Sequence, residues 1–246
     1  MTGSTSRIAA AAAMVGIATL GVAYHGPSMA QQLRALDPVV AATPVPTAQP
    51  VLPAVQPVEE AARPKVMYLT FDDGPDPRNT PQVLALLKRY DAKATFFMIG
   101  AAAKTNRALV EQVRGEGHLL ANHTYTHPWL NRLSPAVITD QLRRTDAVLG
   151  RTACVRPPGG FVNGAVHAVA RRESKKVVMW SVDPKDWTRP GAAAIVNRVM
   201  KSNRPGGIVL LHDGGGARPQ TVSALATLLA RLSAAGYRFE TLPACR

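Results

Sequence analysis

From Lys65 to the end of the chain, short apolar runs alternate with stretches of helical period, and this limits the fold to few choices. "KVMYLTF", "ATFFMIG", "HLLANH", "ACVRP", "KKVVMWSV", "GGIVLLH" and "YRFETL" read as strands. "TPQVLALLKRY", "ALVEQVRGEG", "SPAVITDQLRRTDAVLG", "NGAVHAVARRE", "GAAAIVNRVMKS" and "PQTVSALATLLARLSAAG" read as the helices between them. Strands that alternate with helices argue for a parallel sheet, because parallel neighbours need a crossover. The strands are continuous apolar runs, as strands covered on both faces are. About seven such units predict an α/β fold, a closed or nearly closed barrel rather than an open sheet. Thr80 before Pro81 and Ser134 before Pro135 each read as a helix cap ahead of a proline at the first helical position. Gly150 ends the second of these helices.

The first 64 residues have a different character. "MTGSTSR" is polar with one positive charge, and residues 8–24 carry no charge at all. Small residues Ser28 and Ala30 then precede Gln31 in an A-x-A-like pattern. This layout, residues 1–30, is that of a secretory signal peptide, or of a membrane anchor if it stays uncleaved. Residues 31–64 are rich in Pro, Ala and Val, a composition that resists helix and sheet and acts as a semi-rigid spacer. The expectation is an exported protein, secreted or held in the cell envelope, whose folded domain spans 65–246. The net charge of +13 is scattered over pairs such as Arg143-Arg144 and Lys175-Lys176. No aromatic-plus-basic nucleic-acid motif accompanies it, so nucleic acid is not an expected partner.

The polar residues that break the apolar pattern all fall at the carboxyl ends of the strands. Asp72 and Asp73 follow the first, His123 and His127 the third, and Arg156 ends the fourth. Asp183 and Asp186 follow the fifth, and His212 and Asp213 the sixth. In parallel barrels this rim carries the active site. "HTYTH" spaces two imidazoles four apart, on one face if that turn is helical. With a carboxylate from another strand end they form a three-ligand site suited to a zinc-like divalent ion with a position open for water. The adjacent aspartates leave an extended chain in opposite directions, so one can ligate while its neighbour faces the bound water as a base.

Five short motifs occur in order: "TFDDGP" at 70–75, "HTYTH" at 123–127, "RPPGG" at 156–160, "DPKDW" at 183–187 and "LHD" at 211–213. Together they resemble the polysaccharide deacetylase family, which shares the NodB homology domain (carbohydrate esterase family 4), over roughly residues 65–243. The resemblance implies a NodB-like distorted barrel and metal-dependent hydrolysis of acetyl groups on a glycan. It makes Asp73, His123 and His127 the ligands of a divalent ion, zinc with cobalt as the alternative. It makes Asp72 the general base, oriented by Arg156, and His212 the general acid, paired with Asp186. Trp187 and Leu211 would wall the acetyl pocket. His118 and His167 carry no motif and read as structural.

One position departs from the pattern. The third motif of the family usually carries an aromatic after its two prolines, and here the residue is Gly159. Glycine keeps the backbone N–H that would hold the oxyanion, so the expectation is that Gly159→Tyr would retain turnover, except where Gly159 sits at positive φ and any side chain is disfavoured. Cys154 and Cys245 are the only cysteines, and a disulfide between them and a buried free thiol at Cys154 are equally open. The expected partner is an N-acetylated glycan, peptidoglycan in the first place. Chitin oligosaccharide and acetylxylan are alternatives within the class, and a catalytically silent glycan-binding barrel is the alternative outside it.

Overall fold

The computed structural model describes residues 65–246, so the leader and linker expected over 1–64 lie outside the described residues. Seven parallel strands run β1 (Lys65–Asp72), β2 (Ala94–Met98), β3 (Leu119–Asn122), β4 (Cys154–Val155), β5 (Lys176–Val177), β6 (Gly207–His212) and β7 (Tyr237–Phe239). The helices between them are α1 (Thr80–Arg89), α2 (Gly100–Thr105), α3 (Arg107–Gly115), α4 (Pro135–Leu149), α5 (Gly164–Arg172), α6 (Ala192–Ser202) and α7 (Pro219–Ala234). The sheet order is β5-β4-β3-β2-β1-β6, with β7 pairing the first residues of β1. This is the barrel that the alternation predicts, in the distorted (β/α) form that the family resemblance implies.

The run "KKVVMWSV" is not one strand. Its first residues pair with β4, and Val182 at its end bridges to Val209 of β6. The segment between them thus carries the wall from one sheet edge to the other. Two further differences concern helix starts. Thr80 is the first residue of α1, and Asn79 is the cap position. The Thr80 hydroxyl donates to Asp213 Oδ2 at 2.6 Å instead of capping. The short α2, which precedes α3 directly, had no periodic signal of its own. Ser134 does cap α4, accepting from the Val137 N–H, and Gly150 ends it at φ 80°.

The period of two along each strand sorts the side chains into two cores. Met67, Leu69, Phe71, Ala94, Phe96, Val209 and Leu211 pack against helical residues such as Leu84, Leu225 and Leu228. Each such leucine contributes roughly 1.5–3 kcal/mol by leaving water. The alternate residues Phe97, Ala121 and Cys154 meet Val178, Leu242 and Cys245 in a second cluster inside the barrel. Cys154 and Cys245 are disulfide-bonded there, which settles the two alternatives for these cysteines. Continuing the inward-facing series by one step gives Asp72 after Thr70, His123 after Ala121, Arg156 after Cys154, and His212 after Leu210. The packing rule that fills the barrel thus also delivers the polar residues to its mouth.

Candidate active site

A cavity of about 440 Å³ opens at that mouth, lined among others by Asp72, Asp73, His123, His127, Gly159, Asp183, Trp187 and His212. The register of the sheet places Asp72 directly beside His212 on the neighbouring strand. Arg156, wholly buried, donates from Nη1 to Asp72 Oδ1 at 2.7 Å and to Thr70 Oγ1 at 2.8 Å. Its other nitrogens donate to the carbonyls of Val178 and Met179, and its guanidinium lies 4.0 Å from the Phe97 ring centre. The Asp72 carboxylate is therefore clamped in one orientation.

Strict alternation would turn Asp73 away from Asp72. Asp73 instead adopts φ 74°, a left-handed conformation that brings both carboxylates into the cavity. His127 stands in the same region at φ 62° and Thr124 at φ 69°, so the turn through "HTYTH" is not helical. Asn122 Oδ1 accepts from the Thr124 N–H and Thr124 Oγ1 from the His127 N–H, and this side-chain scaffold brings the two rings to 5.0 Å.

Asp73 Oδ1 lies 3.4 Å from His123 Nε2 and 3.3 Å from His127 Nε2. His123 Nδ1 lies 2.7 Å from the Arg156 carbonyl oxygen, to which it must donate. That fixes the tautomer and leaves Nε2 with a lone pair aimed at the other two groups. Asp73 Oδ1 is buried without a hydrogen-bond partner, a costly state unless something else satisfies it. The donor set of two imidazoles and one carboxylate, all within 4.8 Å of one another, fits a divalent ion of the zinc type. Burial opposes ionisation of Asp73, yet the close approach of His123, His212 and His127 favours its charged form and holds it well below the usual carboxylate range. Burial and the neighbouring His123 push His127 down, towards the neutral form that can ligate.

Opposite this cluster, His212 Nδ1 lies 2.7 Å from Asp186 Oδ1, while the His212 N–H and the Thr221 hydroxyl both donate to Asp186 Oδ2. Burial lowers the His212 pKa, but the Asp186 hydrogen bond and charge outweigh it and hold the imidazole above its ordinary value. His118 lies away from the cavity and accepts the Ala94 N–H at Nδ1.

One site residue needs correction, and the room at a second is less than its role suggests. Leu211 faces the helices in the main core, and Leu210 lines the cavity. Counting by two from His212 along the strand would have found it. Gly159 lies at φ 65°, and a Cβ there would fall 2.8 Å from the Phe161 ring. The positive φ is thus the exception under which a side chain at 159 is disfavoured, and the Phe161 ring leaves no space for one. Phe161 itself lies in the cavity wall, half-exposed and packed on Trp129 with ring centres 5.0 Å apart. Nothing in the motif pattern marked Phe161, Trp129 or Trp180 as cavity residues.

The family profile described as Polysaccharide deacetylase matches residues 59–178. A peptidoglycan-N-acetylglucosamine deacetylase of Bacillus cereus is 47% identical over 184 residues, covering 72% of this chain and 86% of that protein. The chain belongs to the polysaccharide deacetylase family. A chitooligosaccharide deacetylase of Bradyrhizobium sp. is 40% identical over 195 residues, covering 72% of this chain and 89% of that protein. Among solved structures, the peptidoglycan deacetylase PdaC from Bacillus subtilis superposes with a TM-score of 0.69 at 33% identity, covering 73% of this chain and 89% of that chain. The polysaccharide deacetylase barrel thus spans nearly all of the described residues, and the lined cavity lies on the rim where its five motifs converge.

Proposed function

We propose that this polysaccharide deacetylase removes N-acetyl groups from peptidoglycan N-acetylglucosamine, with a divalent ion, zinc in preference to cobalt, held by Asp73, His123 and His127. The observation that carries the reading is the orphaned Asp73 Oδ1 between two imidazole nitrogens, with Asp72–Arg156 and His212–Asp186 pairs facing the same cavity. A bound ion would supply Lewis acidity and a more acidic water. Asp72, fixed by Arg156, is placed to accept the proton of an attacking water. His212, fixed and charged by Asp186, is placed to donate a proton to the departing amine, a poor leaving group otherwise. Gly159 offers its backbone N–H to the developing oxyanion. Leu210 and Trp187 enclose the acetyl methyl, and the Phe161 ring supplies the aromatic surface that residue 159 lacks. Peptidoglycan as substrate is favoured by the relative at 47% identity. The chitooligosaccharide relative at 40% supports the second reading, a chitin oligosaccharide.

We place the enzyme outside the cytoplasm, with residues 1–30 as leader or anchor and 31–64 as spacer. The Cys154–Cys245 disulfide supports this, because disulfides persist in oxidising compartments. Acetate release from peptidoglycan, chitin oligomers and acetylxylan, with and without chelator, tests the proposal. Release is expected to be fastest from peptidoglycan, to stop on chelation and to return with added zinc. Turnover indifferent to chelation would remove the metal role, preference for acetylxylan would remove the N-acetyl assignment, and no release at all would leave a silent glycan-binding barrel.

A further inference from the structure

The loop after β6 is not used by the reaction, yet it lies directly on the backbone that carries Asp73. It runs Asp213-Gly214-Gly215-Gly216-Ala217-Arg218. A Cβ on Gly214 would overlap the backbone of Asp73, and one on Gly74 would overlap the Asp213 carboxyl group. A Cβ on Gly215 would fall 2.7 Å from Asp73 Oδ2 and 2.9 Å from Arg218 Nη2. The glycines are thus required by close approach to one side chain and its peptide. The N–H groups of Asp213 and Gly214 donate to the Asp72 carbonyl at 3.2 and 3.3 Å, tying the loop to the aspartate pair.

Arg218 closes this loop. It is buried, and its Nε donates to the Gly214 carbonyl at 2.7 Å and its Nη2 to that of Gly215 at 3.3 Å. Its own N–H donates to Asn79 Oδ1, and Asn79 Nδ2 donates to the Gly216 carbonyl. Its Nη2 stands 4.0 Å from Asp73 Oδ2, within ion-pair range. Oδ1 of the same carboxylate is the atom that faces His123 and His127. The two oxygens of Asp73 therefore have separate surroundings, two imidazoles on one side and a fixed guanidinium on the other.

We infer that Arg218 is the positioning residue of the metal site. It holds the glycine loop against Asp73 and sets its charge behind Oδ2, so that Asp73 keeps its left-handed backbone and presents Oδ1 to the ion. Outer partners of this kind ordinarily contribute about 10–100-fold in metal affinity. The inference rests on the reading of Asp73, His123 and His127 as ligands.

The test is the zinc affinity of the full chain, measured by competition with a chromophoric chelator, alongside the thermal midpoint of the metal-free protein. Arg218→Gln is expected to bind zinc about 10–100-fold more weakly. Arg218→Lys, which keeps the charge and loses the fork, should fall between it and the parent. Leu228→Ala, a core truncation on the helix that Arg218 precedes, should lower the thermal midpoint and leave zinc affinity unchanged. Both Arg218 variants within about twofold of the parent would overturn the inference, and so would an equal loss in Leu228→Ala. A parent that binds no zinc would instead sink the ligand reading itself, and this inference with it.

Discussion

At His212, burial and charge pull in opposite directions, and the Asp186 carboxylate wins. The sign has a kinetic consequence. A group that must donate a proton works below its pKa, so turnover should decline as pH rises through the His212 titration. Asp186→Asn removes the charge that raises it, and the alkaline limb of the kcat/KM profile should then move to lower pH. An unmoved limb in that variant would separate Asp186 from the acid. His212→Ala and Asp72→Asn should each lower turnover about 100-fold or more, the scale for positioned acid–base groups, with zinc content unchanged. Zinc lost from Asp72→Asn would mean that the two aspartates exchange duties. At Gly159, any side chain meets a left-handed backbone and the Phe161 ring, so Gly159→Ala and Gly159→Tyr should both lose turnover. Phe161→Ala leaves that backbone alone and removes one aromatic face. Its KM for glycan should rise about 3- to 10-fold with little change in kcat, on the scale of a single aromatic contact; an unchanged KM would place the glycan elsewhere in the cleft.

The strand ends show how local rules compose the site. Asp213 follows β6 and is fully buried, with Oδ1 unpartnered. Burial pushes its pKa from the ordinary 3.8 to about 7, the nearby Asp73 charge adding to the shift, although the Thr80 hydrogen bond opposes it. Between those two values the unfolded chain has released a proton that the native protein still holds, so native stability falls as pH rises across the window. Asp213→Asn removes this dependence. In metal-free protein, its thermal midpoint should exceed the parent's above neutrality, and the gap should close in mild acid. Much of this architecture is legible in the sequence. Apolar runs, Ser134-Pro135 and Gly150 mark elements that local chemistry decides. The five motifs at strand ends mark the rim for the same reason. Other features were illegible because they depend on backbone hand or on distant partners. The histidine pair comes together through left-handed Thr124 and His127, not a helix. Phe161 reaches the cavity only because Gly159 turns beneath it. "KKVVMWSV" breaks because its two ends serve opposite edges of the barrel. Arg218 reads as an ordinary surface cation until the glycine loop folds it inward.

At the scale of the molecule, the barrel interior is closed beneath the site by the last residues of the chain. Leu242 donates its N–H to Thr95 Oγ1, and Cys245 is bonded to Cys154 across a separation of 91 residues. Arg156, the clamp on Asp72, lies two residues beyond that cysteine. Replacing both cysteines by serine should destabilise the domain by about 2–5 kcal/mol in urea titration, as loss of a native disulfide ordinarily does. A midpoint within error of the parent would show that packing alone holds the plug. The first strand has a further consequence. Lys65 opens β1 and Asp72 closes it, eight residues in all, so the chain enters the barrel roughly 23 Å from the catalytic rim, at the opposite pole. An enzyme immobilised on a bead through its amino-terminal side would therefore show its working face to the surroundings. It could graze an insoluble polymer that never dissolves to meet it.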